Sequence, residues 1–226
     1  VGQPDFTSAT VHSPPTATSL RAPQGVWLHG GRLFVADTLN NRVLIWNTIP
    51  TTNGKAADVV VGQKTFTVAP QVDLTSGALD PQAYNLVSPV SVTTDGQRLY
   101  VADLGQNRVL IWNTIPATNG ASADVVIGHA TMTEADPNDS SSVCAPTGVD
   151  EDGENTYGAR CGATLDFPRF ALSDGTRLFI SDGGNDRVLV YNRIPTTNGQ
   201  AADVILGQPS DTVNMSSDQA YEWRRA

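Results

Sequence analysis

The sequence lacks three features that would each indicate a class of protein. No apolar run reaches the roughly 18 residues that a membrane-crossing helix needs, so we expect no membrane span. Basic residues are few, 14 Lys and Arg against 23 Asp and Glu, and we expect no nucleic-acid partner because phosphates are bound by basic side chains. Helical spacing of apolar residues is also missing from the repeated parts, which favours an all-β chain.

One stretch of the sequence occurs three times. Residues 34–63, FVADTLNNRVLIWNTIPTTNGKAADVVVGQ, return with most positions identical as residues 100–129 and 179–208. A repeat of this kind forms one supersecondary unit that buries its faces against its neighbours. We therefore predict three like units, at 23–63, 89–129 and 168–208.

Each unit has the pattern of four short strands separated by turns. In the first copy, runs of strand length fall at 25–28, 33–36, 42–46 and 57–61. Asn53-Gly54 supplies the positive φ angles of a chain reversal, and Pro50 ends a strand because it has no N–H to donate. The runs are apolar on both faces, which is typical of a sheet that is covered on both sides.

The repeat resembles the NHL repeat in its long secreted bacterial form. The likeness rests on Leu-Phe-Val-Ala-Asp-x-x-Asn-Asn-Arg-Val-Leu-Ile-Trp at 33–46, on the Pro and turn Gly before it, and on the IPTTNG and terminal GQ after it. The resemblance implies an all-β β-propeller of four-stranded antiparallel blades. Three blades in this chain would make half of a six-bladed ring.

Three blades do not close a propeller, because an open arc leaves two apolar blade faces in water. Either another chain completes the ring, as a protein partner or a second copy, or the 226 residues belong to a longer polypeptide. Val1-Gly2-Gln3-Pro4 repeats the end of a unit, as Leu206-Gly207-Gln208-Pro209 shows. We therefore expect the other strands of a blade before Val1.

The segments between the units are unlike one another. They are a strand stub and linker at 1–22, a linker at 64–88, an acidic loop at 130–167 and a tail at 209–226. Loops held on a rigid scaffold are where proteins vary their binding, so the segments 4–22, 64–88 and 130–167 are candidate recognition elements. Two aromatic residues are candidate contacts: Trp27, on the strand nearest the axis, for which core packing is the alternative, and Trp223 in the tail.

The acidic loop holds both cysteines of the chain. Cys144 and Cys161 could close it with a disulfide, which would place the protein outside the cytoplasm, either extracellular or in the cell envelope or periplasm. The alternative is two free thiols in a cytoplasmic loop. No Cys-x-x-Cys or Cys/His cluster indicates zinc.

The same loop has oxygen-bearing side chains at alternating positions around a glycine. Asp150, Asp152, Glu154 and Asn155 could hold calcium, a hard cation that prefers oxygen ligands. The match is partial, because Cys161 stands where an EF-hand loop would have its last Glu. A solvated acidic loop is the alternative, and we expect no other cofactor.

An acidic residue and an arginine recur in every unit. These pairs are Asp37 with Arg42, Asp103 with Arg108, and Asp182 with Arg187. A residue needed once for chemistry need not recur in each blade, whereas an Asp that accepts turn N–H groups beside an Arg is needed in each. We interpret the three pairs as structural.

The sequence indicates binding rather than catalysis. The three histidines form no set, and no nucleophile elbow or phosphate-binding glycine loop is present, so we assign no catalytic or cofactor-binding residue and predict that the chain is not an enzyme. The expected function is a secreted or cell-surface binding or scaffold module, or a structural subunit of an extracellular assembly. The alternative is a lyase or lactonase-like enzyme whose axial divalent metal is completed by other blades.

Overall fold

A computed structural model describes residues 1–68 and 80–214, and the described chain is all-β, as predicted. It holds three four-stranded antiparallel sheets and one two-stranded hairpin. The first sheet comprises β1 (Gly25–His29), β2 (Arg32–Asp37), β3 (Arg42–Trp46) and β4 (Val59–Val61). The second comprises β5 (Pro89–Thr94), β6 (Leu99–Asp103), β7 (Arg108–Trp112) and β8 (Val125–Ile127). The hairpin and the third sheet follow as β9 (Gly148–Val149), β10 (Asn155–Thr156), β11 (Pro168–Ser173), β12 (Leu178–Asp182), β13 (Arg187–Tyr191) and β14 (Val204–Leu206).

Strands within each four-stranded sheet pair in chain order. The second strand of each sheet ends at the repeated acid and the third begins at the arginine, and the two face each other across the ladder, as Asp37 and Arg42 do in the first sheet. One 3-10 turn joins these two strands in each sheet: Thr38–Asn40, Leu104–Gln106 and Gly183–Asn185. The residue after each turn is left-handed, at a φ of about 50°, a conformation that Asn and Asp tolerate better than most residues.

The sheets pack face to face through two apolar clusters. Phe34, Val43 and Val61 of the first sheet lie against Leu99 and Val101 of the second. The other face of the second sheet packs in the same way on the third. The first strands lie side by side, with β5 in contact with both β1 and β11. This stacking is propeller-like, and it explains why the strands are apolar on both faces.

Two parts of the structure differ from the sequence-based expectation. The outer strand is shorter than the run 57–61, because Asp58 precedes β4 and accepts a hydrogen bond from Asn47 N at 2.8 Å. The acidic loop at 130–167 contains a one-turn helix α1 (Ser140–Val143) and the β9–β10 hairpin, neither of which was predicted from the sequence. The predicted disulfide between Cys144 and Cys161 is confirmed. No helix among the described residues is long and apolar enough to cross a membrane.

Candidate functional site

The repeated acid and arginine anchor the linkers to the sheets. Asp103 Oδ2 accepts a hydrogen bond from Arg108 Nε at 2.9 Å, and both side chains are fully buried. The same guanidinium donates to Met132 O at 2.8 Å in the segment after the sheet, and to Gln82 O and Asn85 O in the segment before it. One arginine therefore fixes two linkers on one end of the sheet.

The first and third sheets repeat this arrangement. Arg42 and Arg187 each bind their aspartate at 2.8 and 2.7 Å and donate to carbonyls of the segments on either side. Burial raises the pKa of Asp103 to about 6 and also raises that of Asp182, because lost hydration outweighs the nearby arginine. These carboxylates are buried and already bound to arginine, so a substrate would have little access to them.

Adjacent sheets are joined by the repeated Asn-Gly turn. Asn119 accepts a hydrogen bond at Oδ1 from Val60 N at 3.0 Å, and Gly120 N donates to Val60 O at the same distance. Asn198 and Gly199 hold Val126 in the same way. The turn of each unit therefore occupies the free edge of the outer strand in the unit before it. We call this pair of hydrogen bonds the edge contact.

One apolar face of the third sheet is open to solvent. Val204 and Leu206 are 43% and 52% exposed. Their repeat equivalents in the first sheet, Val59 and Val61, are 3% and 0% exposed, because they pack on the second sheet. Phe170, on the first strand of the same sheet, is also 41% exposed. We call this surface of β11–β14 the open face.

The first sheet already carries a partial neighbour at its opposite face. Gly54 lies against Gln3 and Pro4, as Gly120 lies against Gln63 and Lys64 at the junction of the first two sheets. Residues 1–4 thus stand where the end of an outer strand stands in the other junctions. Asn53, the equivalent of Asn119, is exposed, and no hydrogen bond joins it to residues 1–68 or 80–214.

The four residues expected to bind calcium form an exposed turn. Asp150 Oδ1 accepts hydrogen bonds from the backbone N–H groups of Asp152 and Glu154, at 3.0 and 2.9 Å. This carboxylate therefore stabilises the turn between β9 and β10. Asn155 is the first residue of β10, directly after that turn. The calcium site stays a prediction.

A different group of ligand atoms comes together at the start of the same loop. In the described part of the chain, His129, Glu134 and Asp139 each place one ligand atom within 4.8 Å of the other two. Sequence reasoning missed this group, although a signal was present. His129 stands where the first unit has Gln63, and Glu134 stands where the segment after that unit has Val68, so both differ from their counterparts.

Neither tryptophan is shown to contact a ligand. Trp27 is half-buried and packs against the core between the first two sheets. Its indole N–H is buried and has no hydrogen-bond partner among the described residues. Trp223 lies outside the described residues.

Comparison with known proteins corrects one prediction. No protein-family model and no curated protein matches the chain. A solved structure from Bacteroides uniformis, described as a "putative 6-phosphogluconolactonase", resembles it with a TM-score of 0.34 and 15% sequence identity. The match covers 84% of this chain and 55% of that one. That protein is named as an enzyme. The prediction that the present chain is not an enzyme is therefore wrong. Similarity at this level says nothing about the chemistry of this chain.

Proposed function

We propose that this chain is a protein-binding module of the NHL-like propeller type, built from three blades, whose open face binds a further blade of the same repeat pattern. The observation that carries the proposal is the exposure of Val204 and Leu206 at positions that are buried in the other two units. Contiguous apolar surface bounded by polar residues is typical of a binding site.

The repeat also defines what this partner must present. At both junctions within the chain, the incoming sheet supplies an Asn-Gly turn to the outer strand, at Val60 and Val126. Ile205 is the equivalent residue of β14, since it pairs with Leu189 as Val60 pairs with Leu44. The partner therefore brings an Asn side chain to the Ile205 amide and an apolar sheet face to Val204 and Leu206.

The disulfide supports a location outside the cytoplasm. The Cys144–Cys161 bond closes the long loop, and such bonds persist mainly in oxidising compartments. We therefore place the module in the extracellular space or the cell envelope. The arc would complete a ring of about six blades with further blades of the same repeat pattern.

The chain itself provides a probe for this interaction. Its first sheet has the incoming type of face, but residues 1–4 occupy the position of the outer-strand end that this face would contact. A donor that lacks residues 1–4 and carries Leu206→Lys can offer only its first sheet. The intact chain, as acceptor, can offer only its open face. We expect sedimentation analysis of the mixture to show a 1:1 complex, and neither protein alone to associate.

Matched variants separate this interface from non-specific adhesion. Asn53→Ala in the donor removes one hydrogen bond of the edge contact, so we expect about fivefold weaker binding. Leu206→Lys in the acceptor should abolish binding, because a lysine would be buried without a partner. Binding that survives Leu206→Lys, or no complex between donor and acceptor at high concentration, would contradict the proposal.

A further inference from the structure

The second unit and the loop after it differ from their counterparts elsewhere in the chain at two positions that lie close in space. His129 follows β8 where Gln63 and Gln208 follow the outer strands of the other units. Glu134 stands five residues later, in the acidic loop, where the segments after the other two units have Val68 and Val213. Both changes replace a residue that is a poor metal ligand with a good one.

The imidazole of His129 is buried and held by one nitrogen. Its Nε2 lies 3.1 Å from Gln106 O, so this nitrogen carries the proton and donates it to the carbonyl. Nδ1 then keeps a free lone pair, and it is buried without a hydrogen-bond partner among the described residues. His129 itself is 0% exposed. A buried acceptor without a partner is costly unless something else binds it.

Two carboxylates complete the group. One oxygen each of Glu134 and Asp139 and one ring nitrogen of His129 lie within 4.8 Å of one another. Each carboxylate is also oriented by its own loop: Glu134 accepts from Thr131 N at 2.9 Å, and Asp139 accepts from Ser141 Oγ at 3.1 Å. Both are half-buried, so water has access to a fourth position.

We propose that His129, Glu134 and Asp139 bind a divalent transition-metal ion of the zinc class. Zn²⁺ accepts one imidazole nitrogen and carboxylate oxygens, with water completing four ligands, whereas Ca²⁺ prefers oxygen alone. The carbonyl that receives the Nε2 proton is the outer-shell partner that metal-binding histidines commonly have. This site does not depend on the binding of a further blade.

The metal would join the edge of the second sheet to the beginning of the disulfide loop. That segment is already fixed on both sides of Glu134: Arg108 donates to Met132 O at 2.8 Å, and Asn107 Nδ2 donates to Ala135 O at 2.9 Å. Tetrahedral zinc with bonds of about 2.1 Å spaces its ligand atoms roughly 3.4 Å apart. Ligand atoms within 4.8 Å therefore need shifts of about 1 Å, within the range of side-chain rotation.

The test measures zinc bound by the chelator-treated intact chain, by equilibrium dialysis with elemental analysis. We expect one Zn²⁺ per chain and a higher midpoint of thermal unfolding with zinc than with Ca²⁺. His129→Gln and Glu134→Val restore residues that the other units carry, so both variants should fold. We expect each to weaken zinc binding by about tenfold or more, since loss of even an outer-shell partner costs at least that much.

Gln63→His is the matched control, because the first unit has Val68 in place of the glutamate. This variant should keep the single site and gain no second one. Equal zinc binding by the wild-type chain and His129→Gln would overturn the proposal, as would no zinc uptake by the wild-type chain. Retention of zinc by Glu134→Val together with its loss in His129→Gln would also overturn the three-ligand site.

Discussion

Replacement of Arg108 by methionine tests whether the repeated ion pair holds the fold together. The substitution keeps most of the side-chain volume but removes the guanidinium, which binds Asp103 and three linker carbonyls. Asp103 would remain fully buried without its cation. Breaking a buried pair by removing one partner costs about 3–5 kcal/mol. A domain of ordinary stability has about 5–15 kcal/mol, so the loss should be large and measurable.

The assay is urea unfolding at neutral pH, with Arg177→Met as the control. Arg177 pairs with Asp174 at 2.8 Å, but the two side chains are 55% and 39% exposed. Exposed pairs contribute about 0–1 kcal/mol, so the control should change the free energy of unfolding by no more than that. Both variants delete a guanidinium group, but only Arg108 has a fully buried acidic partner and bonds to linker carbonyls.

A double variant separates the uncompensated charge from the lost carbonyl contacts. Asp103→Asn combined with Arg108→Met removes both charges, while the amide oxygen can still accept from Val87 N. We expect the double variant to recover about 1–2 kcal/mol of the single variant's loss. A cost below about 1 kcal/mol for Arg108→Met, or no recovery in the double variant, would refute the reasoning.

Two further predictions concern the disulfide and a buried carboxyl. Cys144→Ala combined with Cys161→Ala removes the bond between two cysteines separated by 17 positions in the sequence, so the free energy of unfolding in urea should fall by about 3 kcal/mol. An unchanged urea midpoint would contradict this. Carboxyl-carbon NMR should show Asp103 titrating near its raised pKa of about 6 rather than 3.8. Because the folded protein holds this proton more tightly than the unfolded chain, protonated Asp103 stabilises the fold fully below pH about 3.8, and this stabilisation is lost as pH rises through about 6. A titration midpoint of Asp103 near 3.8 would contradict the effect of burial.

The repeat predicted most of the fold. Residues such as Val43-Leu44-Ile45 are apolar at every position because both faces of β3 are covered, and this pattern is visible without coordinates. The interpretation of Asp103 and Arg108 also followed from their recurrence, and the structure shows them buried and bound to linker backbone. Local rules suffice where the same residues repeat in the same environment.

The candidate metal group was not predicted because its residues follow no local motif. His129, Glu134 and Asp139 are five residues apart, on a loop whose path depends on contacts from Arg108 and Asn107. The calcium expectation was drawn from spacing alone, and spacing does not show that Asp150 Oδ1 binds backbone N–H groups. Departure from the repeat at His129 was the informative signal.

Amide hydrogen exchange at Ile205 tests the central claim most directly. In the intact chain labelled with ¹⁵N, Val60 N and Val126 N are already bound by Asn119 and Asn198 and serve as internal controls. An excess of the unlabelled donor, which lacks residues 1–4 and carries Leu206→Lys, should slow exchange at Ile205 about fivefold or more and leave the controls unchanged. Exchange at Ile205 that is the same with and without the donor would contradict the account.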